Sequence, residues 1–340
     1  MSAAQQQEYA IGRGTLLSVL SSLGFGLLYL WTPLIDPLDP AFLVAMRLPL
    51  GVLSLIALFA AQRQPQLIAD SWRHLCAKPV RFLALILCGS ILTSQLWLFA
   101  YGPMNGLGLQ VALGFLLLPL ALVVVGRVLY KDKLSVWHWV AIGLAAVGVT
   151  QEVVRAGGLS PAALWVVGTY PIYFILRRAI GMNNLGGMFW EMLAMCVPAS
   201  IFIIWYMPQV SNLELPSNIW LVVPGVAFIG SASLVSWILS SKLLPISTFG
   251  MLSYLEPALL MGVSLLLGER ITPAEYPLYI CIWVAIIIII AVSAKEMRIE
   301  RRRAREIAKL GKAITPVITD QPAPATGSIP IIQPENESEN

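Results

Sequence analysis

The sequence predicts an all-α polytopic membrane protein, with ten transmembrane helices that form two inverted five-helix repeats. Three observations support this fold class. Of 340 residues, 58% are hydrophobic and only 12% are charged, which is more apolar than a soluble domain. The apolar residues come in blocks of about twenty, the length that a helix needs to cross a bilayer. The positive charges fall almost entirely on one side of these blocks.

The predicted spans follow one another with short connections. The first block is too long for the core of a signal peptide, which has about 7 to 15 apolar residues, and it lacks a small-residue cleavage site. We therefore expect it to stay as a span. The predicted spans are 14–35, 40–61, 82–101, 107–129, 136–153, 160–176, 185–207, 219–241, 246–267 and 275–294.

The distribution of Lys and Arg orients the chain. If the N-terminus is cytoplasmic, the 22 Lys and Arg residues all lie on the cytoplasmic side except Arg47, Arg155 and Arg270. Arg155 and Arg270 would be external, and Arg47 lies within the second span. The positive-inside rule thus predicts that both termini are cytoplasmic, including residues 1–13.

The ten spans divide into two sets of five, 14–154 and 155–294. Because five is odd, two halves with one fold must have opposite orientations in the membrane, which is the plan of many secondary transporters. The sequence offers a modest echo of this repeat. Pro119 precedes Asp132 at nearly the spacing at which Pro257 precedes Glu269.

The ninth span contains the feature that most needs explanation. Glu256 and Pro257 interrupt the apolar run ISTFGMLSYLEPALLMGVSLLLGER near its middle. An ionisable group at a helix centre costs roughly 2.5 to 3.5 kcal/mol on insertion scales, so Glu256 is expected to face the protein interior. Pro257 cannot donate to the carbonyl of Ser253, and only neighbouring groups or a wet cavity can compensate for that loss. We predict a substrate cavity here, with Ser253 and Ser264 on the same helix face as Glu256.

Two further charged residues are candidates for the cavity. Arg47 can either extend toward the outer surface or pair with a carboxylate or an anionic substrate group, and the sequence does not decide between these alternatives. Glu191 lies inside the seventh span, where acids are functional by default.

Gln95, Asn105 and Gln110 can bind substrate or connect helices, and connecting helices is the commoner role. Tyr173 and Tyr254 can be core aromatics or can orient substrate, and Pro119 and Pro257 are predicted helix-bending positions.

The sequence predicts no metal site, cofactor or nucleic-acid partner. The four cysteines show neither paired nor metal-ligand spacing. An enzyme would need a nucleophile with a base, a metal cluster or paired acids, and a channel would show repeated polar filter residues. Neither pattern is present. Residues 295–314 form a basic segment expected to lie along anionic lipid, and residues 315–340 form a polar tail expected to be disordered.

The motifs RLPL, ISTFGMLSYLEPALL, LLLGER and CIWVAIIIII resemble the RarD-type (chloramphenicol-sensitivity) branch of the EamA, or drug/metabolite transporter, superfamily. The resemblance extends from about Gly14 to Arg303. It implies a ten-helix carrier with inverted repeats that moves small organic metabolites across a bacterial inner membrane. The positions that match the family are Arg47, Asn105, Tyr173, Arg177, Arg178, Glu191, Pro198, Ser247, Thr248, Tyr254, Pro257 and Trp283.

Several polar positions of that family pattern differ in this chain. Met46 stands in place of His, Gln110 in place of Glu, Leu118 in place of Asn, and Lys131-Asp132-Lys133 in place of the first GER. The cavity is therefore expected to be less polar than the family pattern.

The predicted function is secondary-active transport of a small organic metabolite, such as an amino acid or a drug-like compound, by alternating access. Glu256 is the first candidate for proton coupling and Glu191 is the second, because a carboxyl group in a low dielectric can exchange protons near neutral pH. The first alternative is an uncoupled facilitator or exchanger of the same fold. The second is an intramembrane lipid-acting enzyme. The sequence leaves substrate identity, transport direction and oligomeric state open.

Overall fold

The computed structural model describes residues 3–131, 135–244, 246–292 and 294–295, and this part of the chain is helical without strands. The predicted basic segment and tail lie outside the described residues, apart from Lys295, as do Asp132 and Lys133. The helices, in chain order from α1 to α12, are Ala3–Trp31, Pro40–Ala61, Gln66–Cys76, Val80–Met104, Gly108–Tyr130, Val136–Ala156, Pro161–Ala179, Leu185–Val210, Ile219–Leu243, Ile246–Leu252, Leu255–Leu266 and Pro273–Val292.

Among the described residues, eight helices are long and apolar enough to cross a membrane. They are α1, α2, α4, α5, α6, α8, α9 and α12, and each coincides with a predicted span. The predicted sixth span lies on α7, which is helical over its full length but is not among the eight. The predicted ninth span is divided between α10 and α11. The protein is thus a multi-pass helical membrane protein, and the count of ten spans stays a prediction.

The break in the ninth span lies next to the proline. α10 ends at Leu252, a turn follows at Ser253 and Tyr254, and α11 begins at Leu255. This places Pro257 in the first turn of α11, where a missing N–H leaves no helical hydrogen bond unmade. Pro119 differs, because α5 continues through it without interruption.

A short helix that the sequence analysis did not predict lies between the second and third predicted spans. α3, Gln66–Cys76, buries Ser71 and Leu75 and packs against α8. Trp190 of α8 donates its indole N–H to the carbonyl of Ile68 at 3.0 Å, and its ring lies 4.5 Å from that of Trp72. α3 is too short to span a bilayer, and it packs against the first turns of α8.

The helices up to Ala294 pack into one compact unit. α1 packs along α9, α2 packs against both α8 and α9, and α5 packs against α7 and α11. Small residues permit these close approaches, as where Gly24 of α1 meets the Ser233 hydroxyl of α9. α6 and α12 meet in the same way, since a Cβ on Gly148 would lie 2.8 Å from that of Cys281.

Candidate substrate site

The guanidinium of Arg47 is buried near the middle of the helix bundle. Arg47 is 6% exposed, and its Nη1 has no hydrogen-bond partner among the described residues. Its Nε and Nη2 face Gly230 of α9, where an added Cβ would lie only 2.8 Å from either nitrogen. The guanidinium therefore lies against the backbone of α9, and it has no ion-pair partner among the described residues.

Tyr170 lies near the middle of α7 and packs among other aromatic side chains. The ring of Tyr170 stacks on Phe174 at 5.9 Å and meets the edge of Phe115 at 5.8 Å. Since Phe115 belongs to α5, Tyr170 lies at the contact between α5 and α7.

Glu256 lies at the start of α11, directly after the helix break. Among the described residues, its carboxylate has neither a hydrogen-bond partner nor an ion-pair partner. The side chain is half-buried. A carboxylate in this position can meet a substrate or a proton that enters the bundle.

Glu191 has a different environment, because it is paired. It is 0% exposed; its Oε1 lies 3.3 Å from Arg177 Nε, and its Oε2 accepts a hydrogen bond from the Tyr173 hydroxyl at 3.1 Å. Arg177 also donates from Nη1 to the Tyr173 oxygen at 2.7 Å. The acid, the phenol and the guanidinium form an ion-paired group that connects α7 to α8, in which Glu191 Oε1 makes the ion pair but no hydrogen bond among the described residues.

The same arginine holds the turn between α7 and α8. Arg177 donates to the carbonyls of Met182 at 3.1 Å and Asn184 at 2.7 Å. Asn184 caps α8 by accepting from the N–H of Gly187 at 2.8 Å, and its side-chain oxygen also accepts from the Ser71 hydroxyl of α3 at 3.2 Å. This network gives Tyr173 and Glu191 a role in positioning helices.

The predicted amide candidates connect helices or end them. Gln95 is 1% exposed and donates to the Thr169 hydroxyl at 2.6 Å, which joins α4 to α7. The Gln110 oxygen accepts from Ser160, which joins α5 to the start of α7. Asn105 is exposed at the end of α4 and donates to the carbonyl of Tyr101 at 2.9 Å.

The other two candidates lie at the helix break. The Ser253 hydroxyl donates to the carbonyl of Phe249 at 2.9 Å, one turn earlier. Tyr254 is 7% exposed and belongs to the main apolar core. Both residues flank Glu256, but the Arg47 and Tyr170 side of the site comes from other helices.

A cavity of about 440 Å³ lies beside this region, among α2, α4 and α8. Its lining is mostly apolar, with the hydroxyls of Ser90, Thr93 and Ser94 on one wall. Neither Arg47 nor Glu256 lines it. We place the candidate site at the charged groups, because unpaired charge identifies a binding site more specifically than an apolar space does.

The sequence analysis did not identify three residues that contribute to the site or to the packing around it. Tyr170 and Gly230 carried no motif, and their role depends on helix packing. Glu269 appeared only as part of a repeat echo, but its carboxylate accepts from the N–H groups of Gly108 at 2.6 Å and Leu109 at 2.7 Å, and so caps the first turn of α5. An acid at a helix N-terminus is stabilising, and here it comes from a distant part of the chain.

Several known proteins are similar to this chain in sequence or in fold. The chain is 33% identical over 293 residues to the chloramphenicol-sensitive protein RarD of Pseudomonas aeruginosa, covering 86% of this chain and 98% of that protein. It is 32% identical over 290 residues to an uncharacterized transporter of Pasteurella multocida, covering 85% and 99%. A crystal structure with 20% sequence identity covers 83% of this chain and 98% of its own at a TM-score of 0.52, and so shares the fold. No family model matches the chain.

The apolar helices and these relatives define the class of the protein as a multi-pass membrane transporter. The chain belongs to the RarD-type branch of the EamA, or drug/metabolite transporter, superfamily.

Proposed function

We propose that this protein moves a small organic metabolite across the bacterial inner membrane by alternating access. The observation that carries the proposal is a pair of charges on apolar helices, Arg47 and Glu256, that have no ion-pair partner among the described residues. Charged groups in hydrocarbon are costly unless they are paired or serve a ligand. Both termini are proposed to be cytoplasmic, because the basic residues cluster on that side.

The helix packing supports two inverted halves. An inversion that exchanges the halves relates α1 to α7, α2 to α8, α4 to α9, and α5 to α10 and α11. The packing of α1 on α9 then corresponds to that of α7 on α4, and the packing of α5 on α7 corresponds to that of α11 on α1. The packing of α2 on α9 likewise corresponds to that of α8 on α4. Such a plan lets the halves rock around a site between them.

Glu256 is the better candidate for proton coupling. Glu191 is held by Arg177 and Tyr173, so a change in its charge would disturb the α7–α8 connection. Glu256 has no such partner among the described residues, and it adjoins the break between α10 and α11, where a helix bends most easily. Rocking of the halves would then change the exposure of its carboxylate to the two sides.

Reconstituted full-length protein tests the proposal. A metabolite panel is screened by counterflow, in which labelled substrate enters vesicles loaded with unlabelled substrate, and a pH gradient is then imposed. We expect gradient-driven accumulation by the wild type. Glu256→Gln should retain counterflow at saturating substrate but lose accumulation, while Glu214→Gln, in the exposed α8–α9 connection, should behave as wild type.

Other outcomes would support one of the alternative mechanisms or refute the proposal. Counterflow without accumulation by the wild type would favour the uncoupled exchanger. Equal accumulation by wild type and Glu256→Gln would remove Glu256 from the coupling step. A failure of every metabolite in the panel to exchange would refute the transport proposal.

Orientation has a separate test. Ser211, in the predicted external connection after α8, and Cys76, at the end of the predicted cytoplasmic α3, are both exposed. Single-cysteine variants at these two positions should react with an impermeant thiol reagent from opposite sides of the membrane. Labelling of both from one side would contradict the proposed topology.

A further inference from the structure

We propose that a groove between the C-terminal ends of α5 and α7 binds one anionic phospholipid. The lipid phosphate lies at Arg178 and Asn183, and an acyl chain lies along the apolar wall below them. The groove is separate from the candidate substrate site, because neither Arg47 nor Glu256 lines it. Lipid binding here therefore does not depend on the proposed transport function.

The groove is polar at one end and apolar at the other. It is a cavity of about 240 Å³ between two helices that pack against each other. Arg178 lies in the last turn of α7 and Asn183 in the turn that follows, so both lie near the aqueous surface. Phe174 lies about 6 Å deeper along the axis of α7, and Leu122 lies about 12 Å from the end of α5. This order matches a phospholipid, which has a charged headgroup above apolar chains.

Both walls of the groove continue into surfaces that face the hydrocarbon. On α7, Ile175 lines the groove one turn after Ile172, which is 52% exposed. On α5, Val125 lines it one turn before Val128, which is 69% exposed. Exposed apolar side chains on membrane helices contact acyl chains. The groove is thus open to the bilayer, and an acyl chain can enter it from the side.

The charge around the polar end selects the headgroup. Arg178 is exposed at the groove, and the segment 127–133 at the end of α5 contains three cations and one acid. A guanidinium can donate two parallel hydrogen bonds to a phosphate, and the Asn183 amide can donate a further one. The same cations would repel the ammonium group of a zwitterionic lipid. Basic pockets between helices on the cytoplasmic side, where we propose that this end lies, suit anionic headgroups.

A lipid in this groove would also support the turn between α7 and α8. Asn183 lies between Met182 and Asn184, whose carbonyls accept hydrogen bonds from Arg177. Arg177 holds this turn from inside the bundle, and the lipid phosphate would hold it from outside. Bound anionic lipid should therefore raise the thermal stability of the protein.

Native mass spectrometry of delipidated full-length protein in neutral detergent tests the proposal. The probes are phosphatidylglycerol, phosphatidylethanolamine and phosphatidylcholine with identical acyl chains, and soluble glycerol phosphate. We expect one phosphatidylglycerol to bind about tenfold or more tightly than either zwitterionic lipid, as two cations near one anionic headgroup would produce. Glycerol phosphate should not displace it, because it brings no acyl chain.

Two variants separate the headgroup contact from the acyl-chain contact. Arg178→Gln should weaken phosphatidylglycerol binding by about fivefold or more and leave phosphatidylcholine binding unchanged, which also shows that the variant is folded. Arg73→Gln, whose side chain is 80% exposed on α3, is its control and should change neither. Val125→Phe fills the groove and should weaken both lipids alike. Val147→Phe on α6, at a position that is 60% exposed, should weaken neither.

Several results would overturn the lipid site. Equal affinity of the wild type for phosphatidylglycerol and phosphatidylcholine would remove the headgroup contact, as would unchanged phosphatidylglycerol affinity in Arg178→Gln. Unchanged lipid binding by Val125→Phe would remove the acyl chain from the groove. Displacement of the lipid by an equal concentration of glycerol phosphate would identify a site for a soluble phosphate instead. Counterflow by the wild type would be unaffected by any of these results, so the transport proposal stands or fails separately.

Discussion

The arginine at the turn between α7 and α8 and the arginine within α2 are similarly buried but differently paired. Arg177 is 8% exposed and Arg47 is 6% exposed. Arg177 contacts an acid, a phenol and two carbonyls, whereas Nη1 of Arg47 has no hydrogen-bond partner among the described residues. The acids differ in pairing too, since Glu191 is paired, whereas the half-buried Glu256 has no partner among the described residues.

This difference separates two uses of buried charge. Breaking a complete buried ion pair leaves an uncompensated charge, so such a group maintains a particular helix arrangement. An incomplete group costs stability in the absence of a ligand, and a transporter can recover that cost only when substrate binds. Pairing therefore distinguishes the structural arginine from the proposed substrate arginine, although burial does not.

The largest effect is expected at the α7–α8 turn. Arg177→Met should lower the free energy of unfolding by about 3 to 5 kcal/mol, because Glu191 would keep a buried charge without its partner. Unfolding in mixed micelles by SDS titration measures this change.

The double variant Arg177→Met with Glu191→Leu is the control, and it should recover most of the loss because no charge stays buried. A loss below about 1 kcal/mol in the single variant would contradict the structural role of the pair.

A smaller effect is expected at Glu269, whose carboxylate oxygens accept hydrogen bonds from two backbone N–H groups. Glu269→Ala removes two charge-assisted hydrogen bonds from the first turn of α5 and should cost about 1.5 to 3 kcal/mol in the same titration. Glu275→Ala is the matched control, because Glu275 caps the short exposed turn at Thr272 and makes one long, solvent-exposed ion pair with Arg155 at 3.9 Å, so its loss should cost about 1 kcal/mol or less. An equal cost for both variants would show that the α5 cap is not the source of the stability.

The sequence predicts the helices well for a physical reason. Length and hydropathy mark each span locally, so eight predicted spans coincide with apolar helices. α7 carries Thr169, Pro171 and two arginines, which lower its apolar character although it stays helical. The break before Leu255 was indicated by Pro257, because a missing N–H acts within one turn.

The site was less accessible to sequence reasoning, because pairing is a property of packing. Arg47, Glu191 and Glu256 were all candidates from their charge alone, and nothing in the sequence indicated that, within the described part of the chain, only Glu191 forms an ion pair. Its partner Arg177 lies on the preceding helix, across a turn that Gly181 permits with a φ of +70°. Gly230 offers no chemical signal at all, since its role is to leave room for a side chain on another helix.

α3 shows a signal that was available but not used. Leu67, Ile68, Ser71 and Leu75 recur at helical spacing in a stretch too short to span a bilayer. A search restricted to membrane spans passes over such helices. The Glu269 cap had no comparable signal, because its partners Gly108 and Leu109 are far away in the sequence.

The smallest predicted change in stability has the opposite sign and tests the comparison most directly. Arg47→Met keeps an unbranched side chain of similar length against Gly230 but removes a buried charge that has no ion-pair partner among the described residues. Its free energy of unfolding should therefore stay unchanged or rise by about 1 kcal/mol, because the desolvation cost of the guanidinium disappears. Counterflow by the same variant should nevertheless fall by about tenfold or more, since one charge-assisted hydrogen bond to the substrate is lost. Arg177→Met should behave in the reverse way, with reduced stability and with transport lost only in proportion to the folded protein. If Arg47→Met destabilised the fold as much as Arg177→Met, both arginines would be structural and the distinction by pairing would be wrong.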